Sequence, residues 1–156
     1  MQVKYPLDGS PDFDIREFVH PSIFNAVGNV RARWFISNFQ RDFALLIRKL
    51  TNSPVQINNW HTGGARVGRG TRPRSYKPKG GAELSQHYLS NALDISVPGY
   101  TPKQLVELIF KNDLQFKAIG LTTLEHPDHT PTWLHADCRP FIEGVHPKTG
   151  FLIVNP

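Results

Sequence analysis

His87 and Asp94 stand seven residues apart with Ser90-Asn91 near the midpoint, and a second histidine, His135, follows in Trp133-Leu134-His135-Ala136-Asp137. Two imidazoles and one carboxylate are a donor set that zinc accepts, at bond lengths near ~2.0–2.2 Å and with a fourth position open to water in catalytic sites. If the three side chains share one ion, the chain between the first two is tightly constrained. Seven residues of strand would span roughly 23 Å. A straight helix would set the two Cα atoms about 10.5 Å apart, awkward for side chains that meet at one ion. The chain must therefore turn back, and Ser90-Asn91 supplies turn chemistry where it is needed.

Beyond that turn, Ala92, Asp94 and Ser96 alternate with Leu93, Ile95 and Val97, the period of a strand with one face in the core and the other carrying the carboxylate. Around His135 the same period puts Trp133, His135, Asp137 and Arg139 on one side and Leu134, Ala136 and Cys138 on the other. Two strands thus aim polar groups at a common face. The period alone does not say that they pair.

Elsewhere, Asp14 followed by Glu17 reads as a helix start that Pro21 soon interrupts. Phe35, Ile36, Phe39, Phe43, Leu46, Ile47 and Leu50 recur at spacings of three and four, which predicts one long helix over 30–50, capped by Asn29 and ended by Thr51-Asn52-Ser53-Pro54. Its arginines belong to a solvated face. Val55 and Ile57 mark a strand over 55–58. Residues 62–81, rich in glycine, carry Arg66, Arg69, Arg72, Arg74, Lys77 and Lys79 with no acidic residue among them, and are expected to form a long irregular loop of the kind that is functional or mobile. Thr101-Pro102-Lys103-Gln104 combines a cap, a proline at the first helical position and a capping-box glutamine, opening a helix through Asn112. Strands are expected over 116–121 and near 151–154, with Glu125 in the polar loop before the His135 strand. His61, His126 and His129 are left outside the ligand set.

A chain of 156 residues fits one domain, 1–156. No apolar run approaches the roughly 18 residues of a membrane span, and Met1 to Pro6 lacks the apolar stretch of a secretory signal, so synthesis in the cytoplasm is expected. Cys138 is the single cysteine, which excludes an internal disulfide and reads as a small core residue. The net charge of +5 suits an anionic partner without choosing among nucleic acid, wall polymer and acidic peptide. No nucleic-acid module accompanies the clustered arginines, which argues against nucleic acid.

At Ser85, His87, Ala92, Asp94, His135 and Asp137 the chain resembles the zinc D-Ala-D-Ala carboxypeptidases and L-Ala-D-Glu endopeptidases that cut peptidoglycan stem peptides, a family that includes phage endolysins and is related to Hedgehog signalling domains. The family signature is S-x-H-x-x-G-x-A-x-D, followed later by a strand bearing H-x-D. Ser90 departs from it at the usual glycine. The resemblance extends from about Phe13 to Arg139 and implies an α+β fold, with a small mostly antiparallel sheet backed by the 30–50 helix and zinc on the opposite, loop-covered side. It also implies that His87, Asp94 and His135 bind zinc, which activates water for peptide hydrolysis. Ser85 joins the substrate-binding set, with an arginine before the first motif holding the substrate carboxylate. Arg72 is the best match for that arginine and Arg69 the second; a planar fork suits a carboxylate through two parallel hydrogen bonds.

Family members carry their general base as glutamate three residues before the last zinc histidine or as histidine two before it, where this chain has Thr132 and Trp133. Glu125 is then the first candidate base and Asp137 the second, although Asp137 also suits support of a ligand. The reading is a zinc peptidase of peptidoglycan stem peptides, of the phage lysis or virion kind, acting at the cell wall or carried in a virion. Its rival is a non-catalytic zinc-containing binding or virion protein on the same scaffold, which the absent base favours.

Overall fold

The computed structural model describes residues 3–8, 10–78, 82–140 and 150–155. A short antiparallel ribbon of β1 (Pro6–Leu7) and β2 (Ser10–Asp14) opens the fold and leads directly into α1 (Ile15–Phe18). Asp14 caps α1, with Glu17 returning to the Asp14 amide at 2.9 Å, so the aspartate–glutamate spacing does start a helix. Pro21 plays a different part from the one expected. It occupies the first turn of α2 (Pro21–Ala32), where a missing amide costs nothing, and His20 caps that helix by accepting the Ser22 amide at Nδ1.

The single helix expected over 30–50 is instead divided. α2 is kinked at Gly28 (φ 73°), with Asn29 inside it rather than at a cap; a 3-10 turn covers Arg33–Phe35; α3 (Asn38–Thr51) then starts afresh. The physical cause is a capping box, in which Ser37 Oγ accepts the Gln40 amide at 3.2 Å and Gln40 Oε1 accepts the Ser37 amide at 3.1 Å. Ser37 satisfies the orphan amides of a new helix and Ile36 is extended, so the apolar spacing crosses a break that it cannot reveal. Phe39, Phe43, Ala44 and Ile47 form the buried stripe of α3, whereas Trp34 is 77% exposed.

Val55 and Ile57 are buried on an extended segment that makes one antiparallel bridge, Gln56 with Ser96, at the edge of the sheet. The sheet comprises β3 (Ala92–Ile95), β4 (Thr123–Glu125), β5 (Leu134–Asp137) and β6 (Leu152–Val154) in the order β3-β5-β4-β6. It is antiparallel except between β4 and β6, so the fold is α+β with a mixed sheet. Between β3 and β4 run α4 (Pro102–Lys111), with the expected Thr101/Gln104 capping box, and α5 (Asp113–Ala118).

α5 stands where a strand was expected over 116–121. Lys117 pairs with Asp113 one turn back at 2.8 Å, only Phe116 turns into the core, and Gly120 at φ 91° ends the helix, with the Leu121 amide reaching back to the Phe116 carbonyl. The strand begins later, and Glu125 lies at its end instead of in a loop.

One face of the sheet supplies Leu93, Ile95, Leu124, Leu134 and Ala136 to a core shared with Phe43 and Ile47 of α3, Leu105 and Ile109 of α4, and Phe116. The other face carries Asp94, His135, Glu125 and Asp137, because alternate side chains of a strand point to opposite sides. Among the described residues, no helix is long and apolar enough to cross a membrane.

Candidate metal centre

β3 and β5 pair so that Asp94 lies directly across from His135. The Asp94 amide turns away from β5 to the Arg69 carbonyl at 2.8 Å, which makes this the non-hydrogen-bonded kind of antiparallel pair, where facing side chains stand closest. His87 arrives from the other direction, on a 3-10 turn over Gln86–Leu89 capped by Ser85. Ser90 closes that turn in the left-handed region (φ 60°, ψ 24°), and the chain reverses into β3 as the ligand spacing demands.

Left-handed backbone strains a residue with a Cβ by about 1–2 kcal/mol, a strain that glycine at position 90 would avoid. Glycine also gains freedom in the unfolded chain, worth about 0.4–1 kcal/mol in the opposite sense. Ser90→Gly is therefore expected to hold or slightly raise the melting temperature, and a fall of many degrees in thermal denaturation would show that the serine side chain itself secures the turn.

The donor atoms of His87, Asp94 and His135 all lie within 4.8 Å of one another. His87 is buried, and its Nδ1 is 2.9 Å from the Gly70 carbonyl oxygen. A carbonyl can only accept, so Nδ1 carries a hydrogen and Nε2, 3.3 Å from Asp94 Oδ1, is left to ligate. His135 is turned the other way: Nε2 is 3.1 Å from Asp137 Oδ2 and Nδ1 is 2.8 Å from Asp94 Oδ1. Each imidazole thus has one nitrogen fixed by the protein and the other aimed at the shared space, the arrangement that orients histidine ligands. The three side chains can hold a metal ion, and their two nitrogens and one oxygen fit zinc.

Electrostatics match this geometry. Burial opposes a charged Asp94, but its interactions with His87 and His135 outweigh it and hold the carboxyl well below its usual range. Burial likewise opposes a charged His135, yet hydrogen bonds to Asp137 and Asp94 raise it to about 10. Glu125 shares this sheet face, and burial raises its carboxyl, while the charge of His135 acts the other way.

The remaining residues divide. Asp137 is wholly buried, accepts from His135 and is clasped by Arg139, with Arg139 Nε 2.9 Å from both of its oxygens. Arg72 is also buried: its Nη1 donates to the Gly68 carbonyl, its Nη2 to Ser85 Oγ at 3.0 Å, and its guanidinium lies 5.7 Å from the Tyr88 ring centre. Arg69 is half-buried beside β3. Its Nη1 donates to Ser96 Oγ at 2.8 Å and its guanidinium lies over Trp133, on the face that carries Asp94 and His135. Neither arginine forms an ion pair with a carboxylate among the described residues.

His61 lies beside Asp14, Arg16 and Glu17, and His126 packs against His129 in a turn; none of the three histidines joins the metal group. Two contributors carried no sequence signal of their role. Gly70 is one glycine among many in its loop, and Arg139 was visible only as a member of an alternating face. Compared with protein-family models, curated proteins and solved structures, the chain matches none.

Proposed function

We propose that this protein is a zinc-dependent peptidase that hydrolyses peptidoglycan stem peptides. The observation that carries the reading is the convergence of His87 Nε2, Asp94 and His135 Nδ1 on one space, with the Glu125 carboxylate on the same sheet face. His87, Asp94 and His135 would hold the zinc, and the chemistry it would supply when bound is Lewis acidity toward a carbonyl and a water.

The chain's own groups supply the rest. Glu125 is the proton acceptor: its burial lifts the carboxyl toward the working pH, the direction that suits a group which must take up and release a proton in one cycle. Asp137 acts through His135, since its oxygens are already occupied by His135 and Arg139. Arg69, which bonds Ser96 and lies over Trp133, is the arginine that would orient a substrate carboxylate. Arg72, with Nη1 and Nη2 committed to Gly68 and Ser85, ties the loop to the turn that carries His87. The peptidoglycan substrate rests on the resemblance at Ser85, His87, Ala92, Asp94, His135 and Asp137, and implies action at the cell wall or within a virion.

The test is digestion of purified peptidoglycan by the zinc-loaded protein, read as newly formed amino groups. Wild type should release them, and Glu125→Gln should lose about 10²–10⁴ in rate while keeping its zinc. Equal rates would remove Glu125 from the reaction. No turnover by zinc-loaded wild type on any wall peptide would favour the alternative that Thr132 and Trp133 suggest, a zinc-containing binding or virion protein on this scaffold.

A further inference from the structure

Asp137 has no exposed surface, and its carboxylate meets two partners. Its Oδ2 faces His135 Nε2 at 3.1 Å, and both of its oxygens face Arg139, whose backbone amide also donates to Oδ1 at 3.0 Å. The arginine is anchored in turn, because its carbonyl accepts Thr122 Oγ1 at 2.6 Å while the Thr122 amide donates to the Asp137 carbonyl. A guanidinium that engages both oxygens fixes the plane of a carboxylate, which a single hydrogen bond leaves free to rotate.

We propose that Arg139 is a positioning residue of the metal centre: it locks Asp137 against His135 Nε2, so that His135 presents Nδ1 to the space shared with Asp94 and His87. The inference rests on the reading of these three residues as a metal site. Among the described residues Arg139 forms no hydrogen bond with any of the three, and it acts through Asp137. Removing it would leave a buried carboxylate with one side-chain partner, free to turn toward water and to release the imidazole.

Zinc affinity measured by competition with a chromophoric chelator tests this without recourse to catalysis. Arg139→Gln is expected to weaken zinc binding by roughly 10–100-fold. Arg139→Lys, which keeps the charge but loses the fork, should fall between that variant and wild type. Asp137→Asn should weaken binding as well, and adding Arg139→Gln to it should cost little more, because the two residues act in series. Circular dichroism of the metal-free proteins establishes which variants fold, and Arg139→Lys decides the matter if Arg139→Gln does not. Either Arg139 variant binding zinc like wild type, or losses that multiply in full in the double variant, overturns the proposal. Wild type that takes up no zinc overturns the metal reading as well, and is seen before any variant is made.

Discussion

Zinc uptake is expected to fall from about one equivalent per chain to an undetectable level when any one of His87, Asp94 or His135 is replaced by alanine, with catalytic activity lost in step. Each replacement removes one of three protein donors, and zinc sites that retain an open position use three. For wild type, zinc at a hundred times its dissociation constant should stabilise the fold by about 2.7 kcal/mol, and none of the three variants should show that gain. Elemental analysis and thermal denaturation with and without zinc decide the point; an alanine variant that keeps a full equivalent of zinc would sink the assignment of that ligand.

The same centre sets a pH dependence whose sign follows from His135. Burial works against its charge, but Asp137 and Asp94 raise it to about 10, above the ordinary 6.5, so in metal-free protein it holds a proton through the neutral range. That proton contributes stability fully below the unfolded value and loses it as the pH rises from 6.5 through 10. Zinc must displace it from Nδ1, so affinity should rise about tenfold per pH unit below the folded value. The zinc-dependent increase in melting temperature should accordingly widen from pH 6 to pH 9. A constant increase over that range would mean that no such proton is displaced.

Gly70→Ala is expected to be the most damaging conservative change outside the ligands. A Cβ at this position would lie 2.0 Å from the Phe18 carbonyl oxygen and 2.6 Å from the Phe18 carbonyl carbon, backbone atoms that cannot swing aside. The neighbouring residues are pinned too: the Thr71 amide donates to Phe18 at 2.7 Å, the Arg69 carbonyl accepts from Asp94, and buried Gln40 bridges Thr71 Oγ1 to the Ala92 carbonyl. Relief therefore requires the strand-like segment to shift, taking the carbonyl of residue 70 away from His87 Nδ1. Overpacking on this scale costs about 3 kcal/mol or more, and whatever protein folds should bind zinc more than about tenfold more weakly, since the loss of an orienting partner typically costs that much. Urea denaturation and chelator competition measure the two effects. Wild-type values in both would show that the contact with Phe18 opens at no cost.

Spacing and period by themselves made legible a turn at Ser90-Asn91 and two strands with polar faces, carrying a carboxylate and an imidazole, because a seven-residue separation, turn residues and a period of two are local properties. Helix starts written in adjacent residues were equally legible, as Thr101 with Gln104 and Asp14 with Glu17 show. Ser37 and Gln40 form the same kind of capping box, at a break that the apolar spacing running through it does not reveal. The strand expected over 116–121 gives way to a helix, in which Phe116 is buried and which stops at Gly120. Tertiary structure alone decided which nitrogen of each histidine faces the shared space, because Gly70, Asp137 and Arg139 make that choice through contacts closed by folding. It also decided that Asp94 and His135 face each other and that Glu125 shares their side of the sheet, since strand register depends on which edges meet in the folded chain and no residue's neighbours in sequence encode it.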